Sequence, residues 1–93
     1  MRSYELVTIY PTEEELYRAG KDAVVAELTK QGAELVKEEE MGERQLTYPV
    51  KGRSRGRYVL NVIKMAPDRI INAEKVFKLN TNILKYLFVR IDE

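Results

Sequence analysis

The sequence predicts an α+β sandwich in which two helices cover one face of a four-stranded antiparallel sheet. Two observations carry this prediction. Four stretches are rich in the β-branched and aromatic residues that strands favour, and two others repeat apolar residues at helical three- and four-residue steps. Their order is β-α-β-β-α-β, and right-handed βα connections bring both helices to the same face. The length suits a single domain, residues 1–93.

The first half of the chain contains one strand and one helix before a second, longer strand. Residues 3–10, SYELVTIY, have strand composition. Thr12 and Glu15 then have the spacing of a capping box, which predicts a helix over about 13–31 that ends at Gly32. The apolar and small residues that recur along this helix are Leu16, Gly20, Ala23, Val24 and Leu28. The small ones predict a close approach of the helix to the sheet.

The second half predicts a hairpin, a helix and a last strand. Residues 33–50 read as a long strand in which Gly42 marks a bulge, and the charges and a proline within it favour the edge of the sheet. Residues 57–65, RYVLNVIKM, form the next strand. A helix beginning near Pro67 separates it from a last strand over 83–91. This arrangement is the ferredoxin-like sandwich.

The composition narrows the possible functions. The chain has no cysteine and no histidine, which removes thiol chemistry, the commonest general base and the commonest metal ligand. We therefore expect no catalysis, no metal site and no cofactor. The N-terminal segment lacks the features of a signal peptide, and no stretch approaches the roughly 20 apolar residues of a membrane helix. A cytoplasmic protein without a membrane partner or a small-molecule substrate is expected.

A run of cations stands out against an overall formal charge of +1. Residues 1–50 contain 6 Lys/Arg and 11 Asp/Glu, whereas residues 51–93 contain 10 and 4. Four cations alternate without an intervening acid near the predicted hairpin tip: Lys51, Arg53, Arg55 and Arg57. Arginine and lysine side chains of this kind bind RNA phosphates, provided that the tip extends away from its own domain. The alternative is a solvated turn that resists aggregation.

The sheet has apolar residues on both sides, although helices cover only one. Every strand but the second offers apolar or aromatic side chains in both phases, so the open face predicts a partner-covered surface. The candidates for protein contact are Tyr48, Pro49, Val50, Tyr58, Leu60 and Tyr86. Packing in the core is the alternative for Leu60 and Tyr86, and ordinary exposure of single apolar residues is the alternative for the face as a whole.

Four stretches make the chain resemble the bacterial small-subunit ribosomal protein S-six (S6) family: MRSYEL, GAELVKEEEMGERQLTYPV, GRYVLNVIKM and LKYLFVRI. Members typically carry Gly, Arg and then Leu-Ala-Tyr-Pro in the second strand, matched here by Gly42, Arg44 and Leu46, with Thr47 in place of the alanine. The resemblance implies a ferredoxin-like structural component of the small ribosomal subunit. It also implies binding to the central domain of small-subunit ribosomal RNA as a heterodimer with ribosomal protein S-eighteen (S18), without catalysis.

Further RNA candidates and two competing functions complete the prediction. Arg2 and Tyr4, at the start of the first strand, and Arg44, near the bulge, could grip phosphate or stack on bases; ordinary exposure is the alternative. The RGRYVLNV stretch lacks the aromatics of the RNP1 motif, so base stacking across the sheet is not expected.

An acylphosphatase-like enzyme is disfavoured because the loop after the first strand, YPTEEE, is acidic. A ligand-sensing or oligomerising module without an RNA role stays as an alternative function.

Overall fold

The computed structural model describes residues 1–91. Its elements are β1 (Arg2–Tyr10), α1 (Glu14–Lys30), β2 (Glu34–Val50), β3 (Arg53–Met65), α2 (Pro67–Leu79) and β4 (Lys85–Arg90). The four strands form one antiparallel sheet in the order β2-β3-β1-β4, with both helices on one face. The predicted ferredoxin-like sandwich is confirmed, and β2 lies at an edge as its charges indicated.

The main core lies between the helices and one face of the sheet. Alternate residues of β1 point into it, and the strands beside β1 add residues of the same phase because register pairs them directly with β1. The buried members of this core are Tyr4, Leu6, Tyr10, Tyr17, Val24, Leu28, Val59, Ile63, Met65, Ala73, Phe77 and Ile83. The buried Asn61 amide donates to the Leu6 carbonyl at 3.2 Å, so its burial leaves no orphaned polar group.

Helix α1 packs tightly on the sheet but does not start as predicted. A Cβ on Gly20 would lie 2.4 Å from the Asn82 carbonyl oxygen and 2.5 Å from Tyr10 Cδ1, so the predicted close approach is confirmed. The predicted capping box is wrong, because the N-cap is Glu13 and no side chain caps the helix. The Thr12 hydroxyl donates instead to the Glu13 carboxylate. Acidic residues in the first turn favour this helix end through the helix dipole. Helix α2 does begin with a proline in its first turn.

The register of the β2–β3 hairpin shifts at three places, the first of them between Leu35 and Lys37. Gly42 has a φ of 88° and the register shifts between Glu40 and Gly42, which confirms the predicted bulge. Lys51 and Gly52 both have positive φ, as a type I′ turn requires, so the turn is only two residues long and β3 begins at Arg53 rather than at 57. A further register shift, between Gln45 and Val50, leaves residues 46–49 without partners in β3. Most of the basic run is therefore strand, not loop.

Close packing continues at the hairpin end. A Cβ on Gly56 would lie 2.4 Å from Ile9 Cγ2, so this position in β3 accepts only glycine without rearrangement. Within residues 1–91, no helix is long and apolar enough to cross a membrane. The hairpin end of β3 is thus held closely against the end of β1.

Candidate nucleic-acid and protein-binding surfaces

Three cations of the basic run fold back onto their own domain. We call Arg53, Arg55 and Arg57 the arginine row, because alternate positions of β3 place them on the same side of the strand. Arg53 Nη1 lies 2.6 Å from a Glu13 carboxylate oxygen, and Arg57 Nη1 lies 2.5 Å from one of Glu14. Arg55 Nε lies 2.6 Å from Glu43 on β2. The expectation of a cationic tip that extends from the domain is therefore wrong.

Tyr17 is the centre of this charged network. The Arg57 guanidinium carbon lies 3.4 Å from the centroid of the Tyr17 ring, and Lys21 Nζ lies 4.9 Å from it. The Tyr17 hydroxyl donates to Glu40, and Lys21 Nζ pairs with Glu38 at 2.8 Å. Since α1 supplies the tyrosine and lysine and β2 supplies the carboxylates, the network joins both elements to β3.

The network shifts the titration of its members. The hydrogen bond from Arg53 lowers the pKa of Glu13, and the hydrogen bond from Arg57 lowers the pKa of Glu14, because each favours the ionised carboxylate. The hydrogen bond from the Tyr17 hydroxyl lowers the pKa of Glu40 most, and the nearby charge of Lys21 lowers it further. Partial burial opposes the charge on Lys21, but its hydrogen bonds to carboxylate and phenol outweigh burial and raise its pKa. The acidic and basic runs of the sequence thus largely neutralise each other.

Lys51 belongs to a different environment. Its amine donates to two backbone carbonyls, that of Ile83 at 2.9 Å and that of Asn80 at 3.3 Å. Beside it is an open cavity of about 270 Å³, which we call the corner cleft. The residues that line the cleft are Lys51, Phe77, Lys78, Ile83, Leu84, Lys85 and Tyr86. None of the lining residues is acidic, so three lysines surround an apolar floor.

Two of these lysines were missed by the sequence analysis. Lys78 lies at the end of α2 and Lys85 at the start of β4, while Lys51 lies in the hairpin turn. Within residues 1–91, none of the three lies within 4.0 Å of a carboxylate oxygen. The sequence offers no periodicity that links them, because only the tertiary fold brings the three elements to one corner.

The open face of the sheet carries apolar rows. In one row, Leu60 of β3 pairs with Val7 of β1, which pairs with Leu87 of β4. In the next, Val62 and Val89 flank Glu5. The Leu87 side chain is 57% exposed. This part of the face is uncovered, as predicted from the apolar phases of the strands.

The chain itself covers the hairpin end of the open face. Ile9, Leu46 and Leu84 form a second buried cluster, against which Val50 and Tyr58 pack. The unpaired residues 46–49 of β2 contribute Leu46 to this cluster, and beside it is a cavity of about 80 Å³ that Tyr48, Tyr58 and Lys85 help to line. Lys85 therefore lies at the border between the open face and the corner cleft.

The predicted protein-contact residues divide between exposed and packed positions. Tyr48, 64% exposed, and the exposed Pro49 lie in the unpaired segment. Val50 and Tyr58 are half-buried against the second cluster, and Leu60 is half-buried on the open face. Tyr86 is a correction: it pairs with Thr8 and so faces the helices, with its ring 5.6 Å from that of Phe77. It cannot contribute to a partner surface on the open face.

The remaining RNA candidates also divide. Tyr4 is a correction, because it is 6% exposed and its ring packs edge-on against Phe88 in the core, where no RNA base can stack on it. Arg2 is exposed at the start of β1. Arg44 is exposed on the open face, with its guanidinium carbon 5.8 Å from the Tyr58 ring. Arg2 and Arg44 are therefore placed where a ligand could reach them.

A family comparison matches this architecture from end to end. The model of the family described as ribosomal protein S6 matches residues 3–90. The chain belongs to the ribosomal protein S6 family. This is a family of structural proteins of the small ribosomal subunit and not of enzymes.

Individual relatives agree with the family match. The small ribosomal subunit protein bS6 of Treponema denticola is 45% identical over 93 residues and covers the whole of both chains. The protein of the same name from Treponema pallidum strain Nichols is 37% identical over 92 residues, or 99% of each chain. The crystal structure of 30S ribosomal protein S6 from Thermotoga maritima superposes with a TM-score of 0.86. At 20% identity, covering 97% of this chain and 87% of that one, it supports the fold.

Proposed function

We propose that this S6-family protein binds the central domain of small-subunit ribosomal RNA together with S18, as a heterodimer within the cytoplasmic ribosome. The observation that carries the proposal is the position of Lys85, which lies on the same face of β4 as the exposed Leu87 and also lines the corner cleft. An apolar surface suited to a polypeptide and a cationic cleft suited to phosphate are thereby continuous. A protein and an RNA that contact them would meet each other at this corner of the domain.

The open face is the proposed S18 surface. Its apolar rows would be buried by a polypeptide, and burial of apolar area is the main favourable term in protein association. The exposed aromatic Tyr48 extends this surface beyond the sheet, and large aromatics are effective interface anchors. We assign Tyr48, Pro49, Val50, Tyr58 and Leu60 to this contact.

Leu87 joins that contact in place of Tyr86. It lies in the same apolar row as Leu60 and is the more exposed of the two. A charged side chain at Leu87 would oppose burial of the row without disturbing the core, because the position faces away from the helices.

The corner cleft is the proposed main RNA surface. A lysine without a carboxylate partner attracts phosphate with its full charge, and each phosphate that it neutralises releases condensed counterions. The apolar floor of the cleft can also contact a nucleotide base or sugar. Lys51, Lys78 and Lys85 are assigned to phosphate contact here.

The other proposed RNA contacts lie outside the cleft. Arg2 and Arg44 are reachable from solvent and are assigned to phosphate or base contact. The arginine row is also assigned to RNA contact, on one condition. Each of its arginines must exchange a carboxylate of its own chain for a phosphate of the RNA.

The test measures RNA binding by fluorescence anisotropy, with and without S18, on central-domain RNA and on an unrelated RNA of equal length. We expect S18 to raise the affinity for central-domain RNA selectively. Leu87→Asp should remove most of that increase, about tenfold or more, because it places a charge in the proposed interface. Ile71→Asp is the matched control, since Ile71 is equally exposed but lies on α2, on the opposite side of the sheet.

Two results would contradict the proposal. One is wild-type protein that shows no preference for central-domain RNA even with S18 present. The other is a mass of the protein alone that rises with its concentration and falls on Leu87→Asp, which would instead favour the alternative of an oligomerising module.

A further inference from the structure

Two guanidinium groups of the arginine row are held by carboxylates of the protein in the way that RNA phosphates would hold them. Glu13 and Glu14 are neighbours at the start of α1. The Glu13 carboxylate lies 2.6 Å from Arg53, and the Glu14 carboxylate lies 2.5 Å from Arg57 and also 3.2 Å from Arg18 of its own helix. Carboxylate and phosphate oxygens bind a guanidinium with the same planar, charge-assisted geometry. We call Glu13–Arg53 and Glu14–Arg57 the masking pairs.

We infer that Glu13 and Glu14 act as internal phosphate mimics that mask Arg53 and Arg57 from RNA until phosphates displace them. The inference rests on the proposed function and adds a regulation of its RNA surface. Both carboxylates are more than half exposed, so an incoming phosphate can reach the pairs and compete for the guanidinium groups.

Masking has a consequence for salt dependence. A free cation that binds phosphate releases counterions from the RNA at no other electrostatic cost. A paired arginine must first give up its carboxylate, and that freed carboxylate attracts cations again. The protein therefore binds RNA with a shallower salt dependence than its number of surface cations indicates.

The two masking pairs differ in strength. Arg57 is also held by the Tyr17 ring, 3.4 Å from its guanidinium carbon, and by Glu40 at 4.0 Å. Within residues 1–91, Arg53 forms an ion pair only with the Glu13 carboxylate. Removing Glu13 should therefore expose Arg53 fully, whereas removing Glu14 leaves Arg57 partly held.

The experiment compares variants that change charge equally. Glu13→Gln, Glu14→Gln and Glu15→Gln each remove one negative charge from the N-terminal end of α1, but Glu15 pairs with no cation within residues 1–91. The full-length protein is titrated with a homopolymeric single-stranded RNA over a range of salt concentrations. We expect Glu13→Gln to raise affinity about three- to tenfold and to steepen the salt dependence by about one unit of log–log slope. Glu14→Gln should do less, and Glu15→Gln least.

A second set of variants identifies the cause. In the double variant Glu13→Gln with Arg53→Gln, the gain should disappear, because the unmasked arginine is gone. A gain that survives there, or a Glu15→Gln variant that gains as much as Glu13→Gln, would overturn the inference, since the acids would then act only through their long-range field. The thermal midpoint of each variant verifies that it is folded.

The design separates this inference from the proposed function. The homopolymer measures masking without S18 and without a specific RNA site. Loss of preference for central-domain RNA would refute the proposed function and leave the masking result intact. Equal behaviour of the three Glu→Gln variants on the homopolymer would refute masking, whatever the specific RNA shows.

Discussion

The arginine row and the corner cleft contain the same number of cations but differ in what lies opposite them. Each arginine of the row faces a carboxylate at 2.5–2.6 Å, supplied by the N-cap of α1, by α1 itself or by β2. The three lysines of the cleft line a cavity without acidic residues. The row therefore contributes mainly to holding elements together, whereas the cleft offers uncompensated charge to a ligand. Cations that are dense in sequence are not always the ones that are available in the fold.

Binding measurements give the largest expected difference between the two regions. Lys78→Gln with Lys85→Gln and Arg53→Gln with Arg57→Gln remove the same charge from each. We expect the cleft variant to lower affinity for central-domain RNA about tenfold or more and to reduce the log–log salt slope by about two units. The row variant should change affinity by less than about threefold, because its arginines were already neutralised.

Fluorescence anisotropy titrations measure the RNA affinity and the salt slope of both variants. Lys75→Gln on α2 is the control, because Lys75 is exposed and does not line the cleft. Equal losses for the row and cleft variants would show that the carboxylates do not shield the row. A larger loss for the row would reverse the assignment of the main RNA surface.

For the free energy of unfolding, substitutions in the arginine row should have larger effects than substitutions in the corner cleft. Arg57→Ala removes an ion pair, a cation–π contact and the packing of its aliphatic stem, so we expect it to lower the free energy of unfolding by about 1–2 kcal/mol. Lys85→Ala removes no ion pair within the described residues 1–91 and should change it by less than about 0.5 kcal/mol. Urea unfolding followed by circular dichroism measures both. A greater loss for Lys85→Ala would mean that the cleft lysine is structural.

The sequence predicted the fold well because its local patterns agreed. Strand composition, the Gly42 bulge and the first-turn proline of α2 each specify structure within a few residues. The capping box failed because the helix begins one residue late, with Glu13 as N-cap. Local chemistry was thus a good guide to elements and a weaker one to their ends.

The site was harder to predict because it depends on register. Tyr4 and Tyr86 looked like surface aromatics, but strand pairing assigns both to the helix side of the sheet. Both phases of these strands are largely apolar, so periodicity alone could not choose between them. The partners of Arg53 and Arg57 lie about forty residues away in sequence, and only the docking of α1 against β3 brings them together.

The smallest expected effect is on the pKa values of the two glutamates in the masking pairs. Arg53 and Arg57 lower the folded-state pKa of Glu13 and Glu14, so both carboxylates should titrate below the ordinary glutamate value of about 4.3. A depressed folded pKa gives stability that is fully present above the unfolded pKa and is lost as pH falls through the folded one. The pairs should therefore persist at neutral pH and open only in acid, below the ordinary pKa of glutamate.

Side-chain carboxyl chemical shifts measured by NMR across this pH range report each glutamate separately. Arg53→Gln should move the midpoint of Glu13 upward and leave that of Glu14 almost unchanged, because Glu14 pairs with Arg57. Arg57→Gln should do the reverse. If neither midpoint moves, the carboxylates are not engaged by the arginines in solution, and the row would be as available to RNA as the cleft.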